Sequence, residues 1–121
     1  TMLPGCAFFL GLEYPRARDM INAGAALALA TDYNPGTAPS GNMNFIHALA
    51  CIKLKMTPAE AFNAATINGA FAMDLQSQVG SLTPGKLANL LIMKPAESFS
   101  FYAYNFGQAA IDKVIINGKV I

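Results

Sequence analysis

The sequence predicts an α/β fold that gives way to a small β segment, and three features carry that prediction. A nearly all-apolar run, Ala25–Thr31, lies between two stretches with helix signals. A capping signal, Thr57-Pro58-Ala59-Glu60, opens a long helical stretch, and short apolar runs around Asn117-Gly118 close the chain. The first two give the strand and helix alternation of a parallel sheet; the third gives a hairpin.

Each element has its own reason. Thr1-Met2-Leu3 reads as the end of a strand, Pro4-Gly5 as the turn that stops it, and Cys6–Leu12 as an apolar loop. Pro15 suits the start of a helix, on which Ala17, Met20, Ile21 and Ala23 make a mixed apolar face before Gly24 ends it. Ala25–Thr31 is apolar at almost every position, which fits a parallel strand covered on both faces, although its alanines favour helix. Asp32–Gly41 is rich in Pro, Gly, Asn and Ser and is expected as loop. Helix is expected over Met43–Lys55. A second helix starts at Thr57, whose hydroxyl can accept a free backbone N–H while Glu60 reaches back, and it runs to Ala72. Then the character changes. Ser81–Lys86 is a turn, Leu87–Met93 a strand, and Val114–Ile116 and Val120–Ile121 flank the Asn117-Gly118 turn. A boundary near Gln76–Gly80 divides residues 1–76 from residues 77–121.

Composition limits the function classes. A chain of 121 residues affords one modest core. Hydrophobic residues make up 54% and charged residues 12%, against about one quarter charged in ordinary domains. So apolar a small chain is expected to pack against something else, either a larger parent chain or a further copy in a homo-oligomer. The chain begins at Thr1 without a signal-peptide pattern and is expected to begin within a longer reading frame. Net charge is +1 with scattered basic residues, so no nucleic-acid partner is expected. The apolar runs are far shorter than the about 20 residues of a membrane span. Cys6 and Cys51 lack CxxC spacing and are expected as reduced core thiols, in keeping with a cytoplasmic protein.

Chemistry concentrates in one loop. A carboxylate just past the end of a buried parallel strand occupies the place where α/β folds put active sites, and Asp32 stands there. An ionised Asp in apolar surroundings needs a cation or hydrogen-bond donors. Asn34 can donate and accept, Gly36 lets a ligand approach the backbone, and Thr37 adds a hydroxyl; together they make a polar cup. The competing reading is a plain turn, with Asp32 and Asn34 shaping it and Pro35-Gly36 finishing it. Elsewhere, Glu13, Asp19, Glu60 and Glu97 are dispersed, no serine has a G-x-S-x-G context, and no glycines form a phosphate loop. His47 falls inside a helix between Ile46 and Ala48 and reads as structural. The late aromatics Phe99, Phe101, Tyr102, Tyr104 and Phe106 read as core or as a surface packed on other elements rather than as a stacking platform.

Thr31-Asp32-Tyr33-Asn34-Pro35-Gly36-Thr37 resembles the motif after the eighth barrel strand of the imidazolonepropionases, a branch of the amidohydrolase superfamily. Leu3-Pro4-Gly5 with Phe8-Phe9-Leu10 resembles their seventh-strand loop, and Thr57–Ala72 the helical stretch downstream of the site. Val79–Leu90 resembles the superfamily's G.L..GK.ADL turn and strand. The resemblance covers essentially the whole chain. It departs at Asn89, where Asp is usual, at Met73-Asp74, where Leu-Gly is usual, and at Gln108-Ala109.

The resemblance implies the C-terminal part of a metal-dependent TIM barrel, its last strands and helices, followed by a segment of a composite β-sandwich domain. It implies hydrolysis of the ring of 4-imidazolone-5-propanoate to N-formimidoyl-L-glutamate, a step of histidine degradation, with one divalent metal, zinc or iron. Asp32 would be both the metal-linked carboxylate and the group that takes the proton of the attacking water. Asn34 and Gly36 would face the propanoate or product, and Thr37 the ring. The remaining ligands would come from earlier strands, because a catalytic zinc needs about three protein ligands, so the chain by itself is expected to be inactive. The alternative is a non-catalytic module derived from the same fold that buries its apolar faces by self-association.

Overall fold

A computed structural model describes residues 1–121. Thr1–Leu3 and Ala25–Thr31 run parallel where they meet, at a bridge between Met2 and Leu29. The Met2 N–H donates to the Ala28 carbonyl (2.8 Å), and the Ala30 N–H to the Met2 carbonyl (3.2 Å). The expected parallel orientation is therefore present, but pairing is limited to a single bridge. Helix backbone covers the other edge of Ala25–Thr31: the Leu29 N–H donates to the Ala64 carbonyl (3.0 Å), and the Asn68 amide to the Leu27 carbonyl (2.8 Å).

Both segments lead directly into new structure at the same end, a helix after Leu3 and a loop after Thr31. Helix α1 (Pro4–Leu10) follows Leu3 at once, which corrects the expectation of a turn and an apolar loop. Pro4 sits at the first helical position, where its missing N–H costs no hydrogen bond, so the same residue that suggested a stop is a start. Helix α2 (Ala17–Asn22) begins two residues after Pro15.

Helix α3 (Met43–Ile52) is capped by Asn42, whose side chain accepts the Phe45 N–H (3.2 Å). It stops before the expected Lys55, which lies in the left-handed region (φ 59°). The Thr57 helix forms with its capping box intact, as α4 (Pro58–Ala65). It breaks at Thr66 (φ −119°, ψ −92°), whose hydroxyl donates to the Phe62 carbonyl (2.7 Å), and resumes as α5 (Ile67–Ala72). Gly80 folds back on this elbow so closely, with φ 89°, that a Cβ there would lie 2.6 Å from the Ala70 Cβ.

The late part is an antiparallel sheet, β1 (Leu90–Met93), β2 (Ile111–Ile116) and β3 (Lys119–Val120), in the order β1-β2-β3. Leu90 faces Ile115, and Ile115 faces Val120. Asn117 and Gly118 have the two positive φ values, 50° and 78°, of a tight hairpin turn. β1 starts three residues later than expected because the backbone before it serves the hairpin: Ala88 accepts the Gly118 N–H, and the Asn89 side chain accepts the Asn117 N–H (2.8 Å). Between β1 and β2, a short helix that the sequence did not announce, α6 (Phe101–Tyr104), packs on α3. Phe99 stacks on Phe62 with ring centroids 4.5 Å apart, whereas Tyr104 stays 81% exposed.

The core lies between Ala25–Thr31 and helices α2, α3 and α4. Leu27, Leu29, Ile46, Leu54, Met56 and Ala61 form its centre. Cys6 and Cys51 are free and half-buried, and of the two Cys51 packs against the core. Only 19 of 121 residues are buried, and the accessible surface, 7643 Å², exceeds the roughly 6,300 Å² of a compact monomer of this mass by about a fifth. The apolar excess of the sequence is thus on the outside. Phe8, Phe9, Leu12, Phe71, Leu82, Val120 and Ile121 are all exposed. No helix is long and apolar enough to cross a membrane.

Candidate active site: the Asp32 loop

Because Thr1–Leu3 and Ala25–Thr31 are parallel, their C-terminal ends open on the same side. α1 starts there, and so does the loop that begins with Asp32. Asp32 itself has φ 55°, a left-handed backbone unusual outside glycine, although Asp tolerates it better than most residues. That conformation turns the chain sharply out of the extended segment.

Asn34 organises the rest of the loop. Its amide nitrogen donates to the Asp32 carbonyl (2.5 Å) and to the Thr37 hydroxyl (2.8 Å). Its amide oxygen accepts the N–H groups of Gly36 (2.9 Å) and Thr37 (2.8 Å). The Asn34 backbone N–H donates to the carbonyl of Ala38, which is buried and anchors the loop. With two donors and an oxygen that takes two hydrogens, the amide has spent its whole capacity inside the loop.

Thr37 passes the arrangement on. Its hydroxyl lies 3.3 Å from Asp32 Oδ2 and 3.1 Å from Asn34 Oδ1, and it accepts from Asn34. That hydroxyl, its single hydrogen shared with Asn34 Oδ1, is the one donor within reach of the half-buried Asp32 carboxylate. A carboxylate has about four acceptor positions, so Asp32 keeps Oδ1 and more for other partners. Gly36 needs no special backbone, and a Cβ there would meet only Asn34 Oδ1 at 3.4 Å; nothing inside the chain requires it to be glycine. Tyr33 points outward at 72% exposure.

The four residues singled out in the sequence, Asp32, Asn34, Gly36 and Thr37, are therefore brought together. What the sequence reading missed is the left-handed Asp32 backbone and the anchoring role of Ala38. The Asn-Pro-Gly-Thr run did carry the signal of an Asx turn, in which a side-chain oxygen accepts the N–H two residues on.

His47 is elsewhere. It is buried on α3, with Nε2 3.2 Å from the Pro58 carbonyl and its ring edge-on to Phe62 at 5.7 Å. Burial pushes its pKa below the usual histidine value, with the Pro58 contact partly opposing this, so it is a neutral link between α3 and α4. A cavity of about 150 Å³ lined by Ala25, Leu27, Met56 and Asn68 includes none of the loop residues. No three His, Cys, Asp or Glu side chains converge within the chain. Asp32 fits a divalent cation as one oxygen ligand, with the other ligands supplied from outside these residues.

Residues 8–121 match the family model described as the Amidohydrolase family. The chain belongs to the amidohydrolase family. Among curated relatives of this amidohydrolase segment, the imidazolonepropionases of Christiangramia forsetii and Flavobacterium johnsoniae are each 59% identical over 119 residues, 98% of this chain. The chain spans 29% of the length of these relatives. In the same fold, a zinc-bound adenosine deaminase from Xanthomonas campestris superposes with a TM-score of 0.83 at 25% identity, covering 98% of this chain and 30% of that one.

Proposed function

We propose that this amidohydrolase segment belongs to a metal-dependent hydrolase that opens the ring of 4-imidazolone-5-propanoate, yielding N-formimidoyl-L-glutamate in histidine degradation. The observation that carries the reading is the 59% identity to two imidazolonepropionases across 98% of the chain. The Asp32 loop, with a carboxylate whose acceptor positions are largely free, supports it.

Residues 1–76 form the last strands and helices of a TIM barrel, and residues 77–121 a segment of the composite β-sandwich. The exposed apolar surface is what the preceding part of the barrel covers, and a cytoplasmic homo-oligomer is the expected form of the whole enzyme. A divalent metal, zinc or iron, when bound, acidifies the attacking water and polarises the ring carbonyl, and Asp32 is the residue of this chain that holds it.

Asp32 takes a proton from the attacking water as the new C–O bond forms, and returns it to the ring nitrogen as the C–N bond breaks. The second role follows from the first, because the departing nitrogen needs a proton. Asn34, Gly36 and Thr37 form the wall of the substrate cup, with Gly36 leaving room at its outer face.

Joining this chain to the preceding part of the C. forsetii enzyme and assaying ring opening tests the reading. Hydrolysis at a rate comparable to the relative's is expected from the joined protein, and none from the 121-residue chain alone. A soluble, correctly folded hybrid that binds metal but leaves the ring intact would overturn it.

A further inference from the structure

Resting on the reading of Asp32 as the proton-transferring carboxylate, we infer that Gly5 is a positioning residue for Asp32, because the bare backbone at position 5 sets the spacing between the two stems of the Asp32 loop. Gly5 lies in the first turn of α1 and has no positive φ, so its conformation does not call for glycine. Alanine would suit that helix better, since glycine loses more freedom when a helix forms. What excludes alanine is space. A Cβ at position 5 would lie 2.7 Å from Ile46 Cδ1, well inside the about 3.5–4.0 Å at which carbons pack, and 3.6 Å from the Thr31 carbonyl oxygen.

These two neighbours are the entrance and the exit of the loop. The Thr31 carbonyl belongs to the peptide that joins Thr31 to Asp32, so whatever displaces it displaces the backbone on which the carboxylate stands. Ile46 lies near the start of α3, the helix that takes up the chain after the loop and that Asn42 caps. α1 seats on that start a second time through Phe8, edge-on to Phe45 with ring centroids 5.1 Å apart. Ile46 is 2% exposed and packs in the core with Leu27 and Leu29, residues of the segment that leads to Asp32, so its terminal methyl has no solvent to swing into. A methyl group at position 5 therefore pushes α1 off α3 or drives Ile46 into that core, and either movement shifts one stem of the loop against the other. A displacement of a reacting group by about 1 Å can cost about a hundredfold in rate, so a glycine outside the substrate cup can still govern turnover.

The test uses the full-length hybrid enzyme described above, with G5A, I46V, G5A/I46V and D32N variants. I46V removes the one atom that a Cβ would strike, and leaves the Thr31 carbonyl oxygen, at ordinary contact distance, as the nearest neighbour. Expected are a fall in kcat of about tenfold in G5A at saturating substrate, near-parental turnover in I46V, and a return to within about twofold of I46V in G5A/I46V. Crystal structures supply a readout independent of activity: the Asp32 carboxylate is expected to shift in G5A relative to the Met2–Leu29 bridge, and to return in the double variant.

A G5A enzyme that keeps the parental kcat and changes only in thermal midpoint would make Gly5 a packing residue and overturn the inference. A folded G5A/I46V enzyme about tenfold slower than I46V would do the same, and so would an Asp32 unmoved in the G5A crystal. Should G5A fail to fold, G5V/I46V, in which the crowding returns, takes its place: it is expected to be slower than G5A/I46V with Asp32 displaced, and equal rates in the two would count against the proposal. D32N separates the two ideas, since full activity there removes Asp32 from the reaction, whereas an inactive D32N beside a fully active G5A removes the Gly5 inference alone.

Discussion

Two carboxylates in this chain sit in polar clusters built from similar parts, and they differ in how much of their capacity is used. Glu60 accepts both Arg18 guanidinium nitrogens, at 3.1 and 2.5 Å, and the Thr57 N–H at 2.7 Å. Arg18 in turn donates twice to the Lys55 carbonyl, so the cluster ties α2, the connection after α3 and the start of α4 together. Asp32 receives one hydroxyl at 3.3 Å and stands on a left-handed backbone. The compensated carboxylate builds the fold. The under-coordinated one, held in a conformation that costs energy, is the one that the proposed function puts to chemical use.

Replacing each carboxylate by its amide should separate the two kinds. In the full-length hybrid, Asp32→Asn is expected to lower turnover by about a thousandfold or more while the thermal midpoint stays close to the parent's, read by steady-state kinetics and calorimetry. Chelation should abolish activity in the same way, with zinc or iron restoring it. Retained activity in either case would erase the distinction.

Glu60→Gln should do the reverse, lowering the unfolding midpoint and leaving kcat nearly intact. The Arg18 guanidinium, then the Thr57 N–H, hold the Glu60 carboxyl at about 2, below its ordinary 4.5. The stability it adds is therefore complete above about pH 4.5 and is lost as pH falls toward about 2. Glu60→Gln should flatten that part of the stability profile. His47 works in a higher window: its lowered pKa means that the unfolded chain takes up the proton first, so stability declines as pH drops below the ordinary 6.5, and His47→Gln should remove that slope.

Smaller effects sharpen the comparison further. Thr57→Ala removes the acceptor for the Glu60 N–H and should cost about 1 kcal/mol in chemical denaturation, with no kinetic consequence. Smallest of all, Asp74→Gly should stabilise by roughly 0.5 kcal/mol, because Asp74 holds φ 59° where the superfamily pattern has glycine. A left-handed Asp is expected to be dispensable there and required at position 32; a similar kinetic loss in both variants would deny that contrast.

The helical part was more legible than the β part. Thr57-Pro58-Ala59-Glu60 is a local signal whose partners lie within three residues, and it formed as read, whereas the break at Thr66 depends on a side chain bonding back to Phe62 and on Gly80 packing from a distance. Pro4 misled because the residue that ends a strand can also open a helix, and only the parallel neighbour decides which happens first. In the loop, residue types announced a polar cup, but the direction of the bonds was not written in them. That Asn34 turns inward follows from φ 55° at Asp32 and the buried Ala38, both tertiary facts. Helix α6 went unread because four residues carry too little periodicity to register.

One edge of Ala25–Thr31 is already claimed at Leu27 and Leu29 by the α4–α5 elbow. Among the backbone groups still free on that edge are the Leu29 carbonyl and the Thr31 N–H, immediately before Asp32. An incoming strand can therefore pair with this edge only in part, which makes the segment a poor template for indiscriminate strand-to-strand aggregation. A strand that pairs there meets the chain next to Asp32, so that under the proposed function assembly and alignment of the site happen in one step.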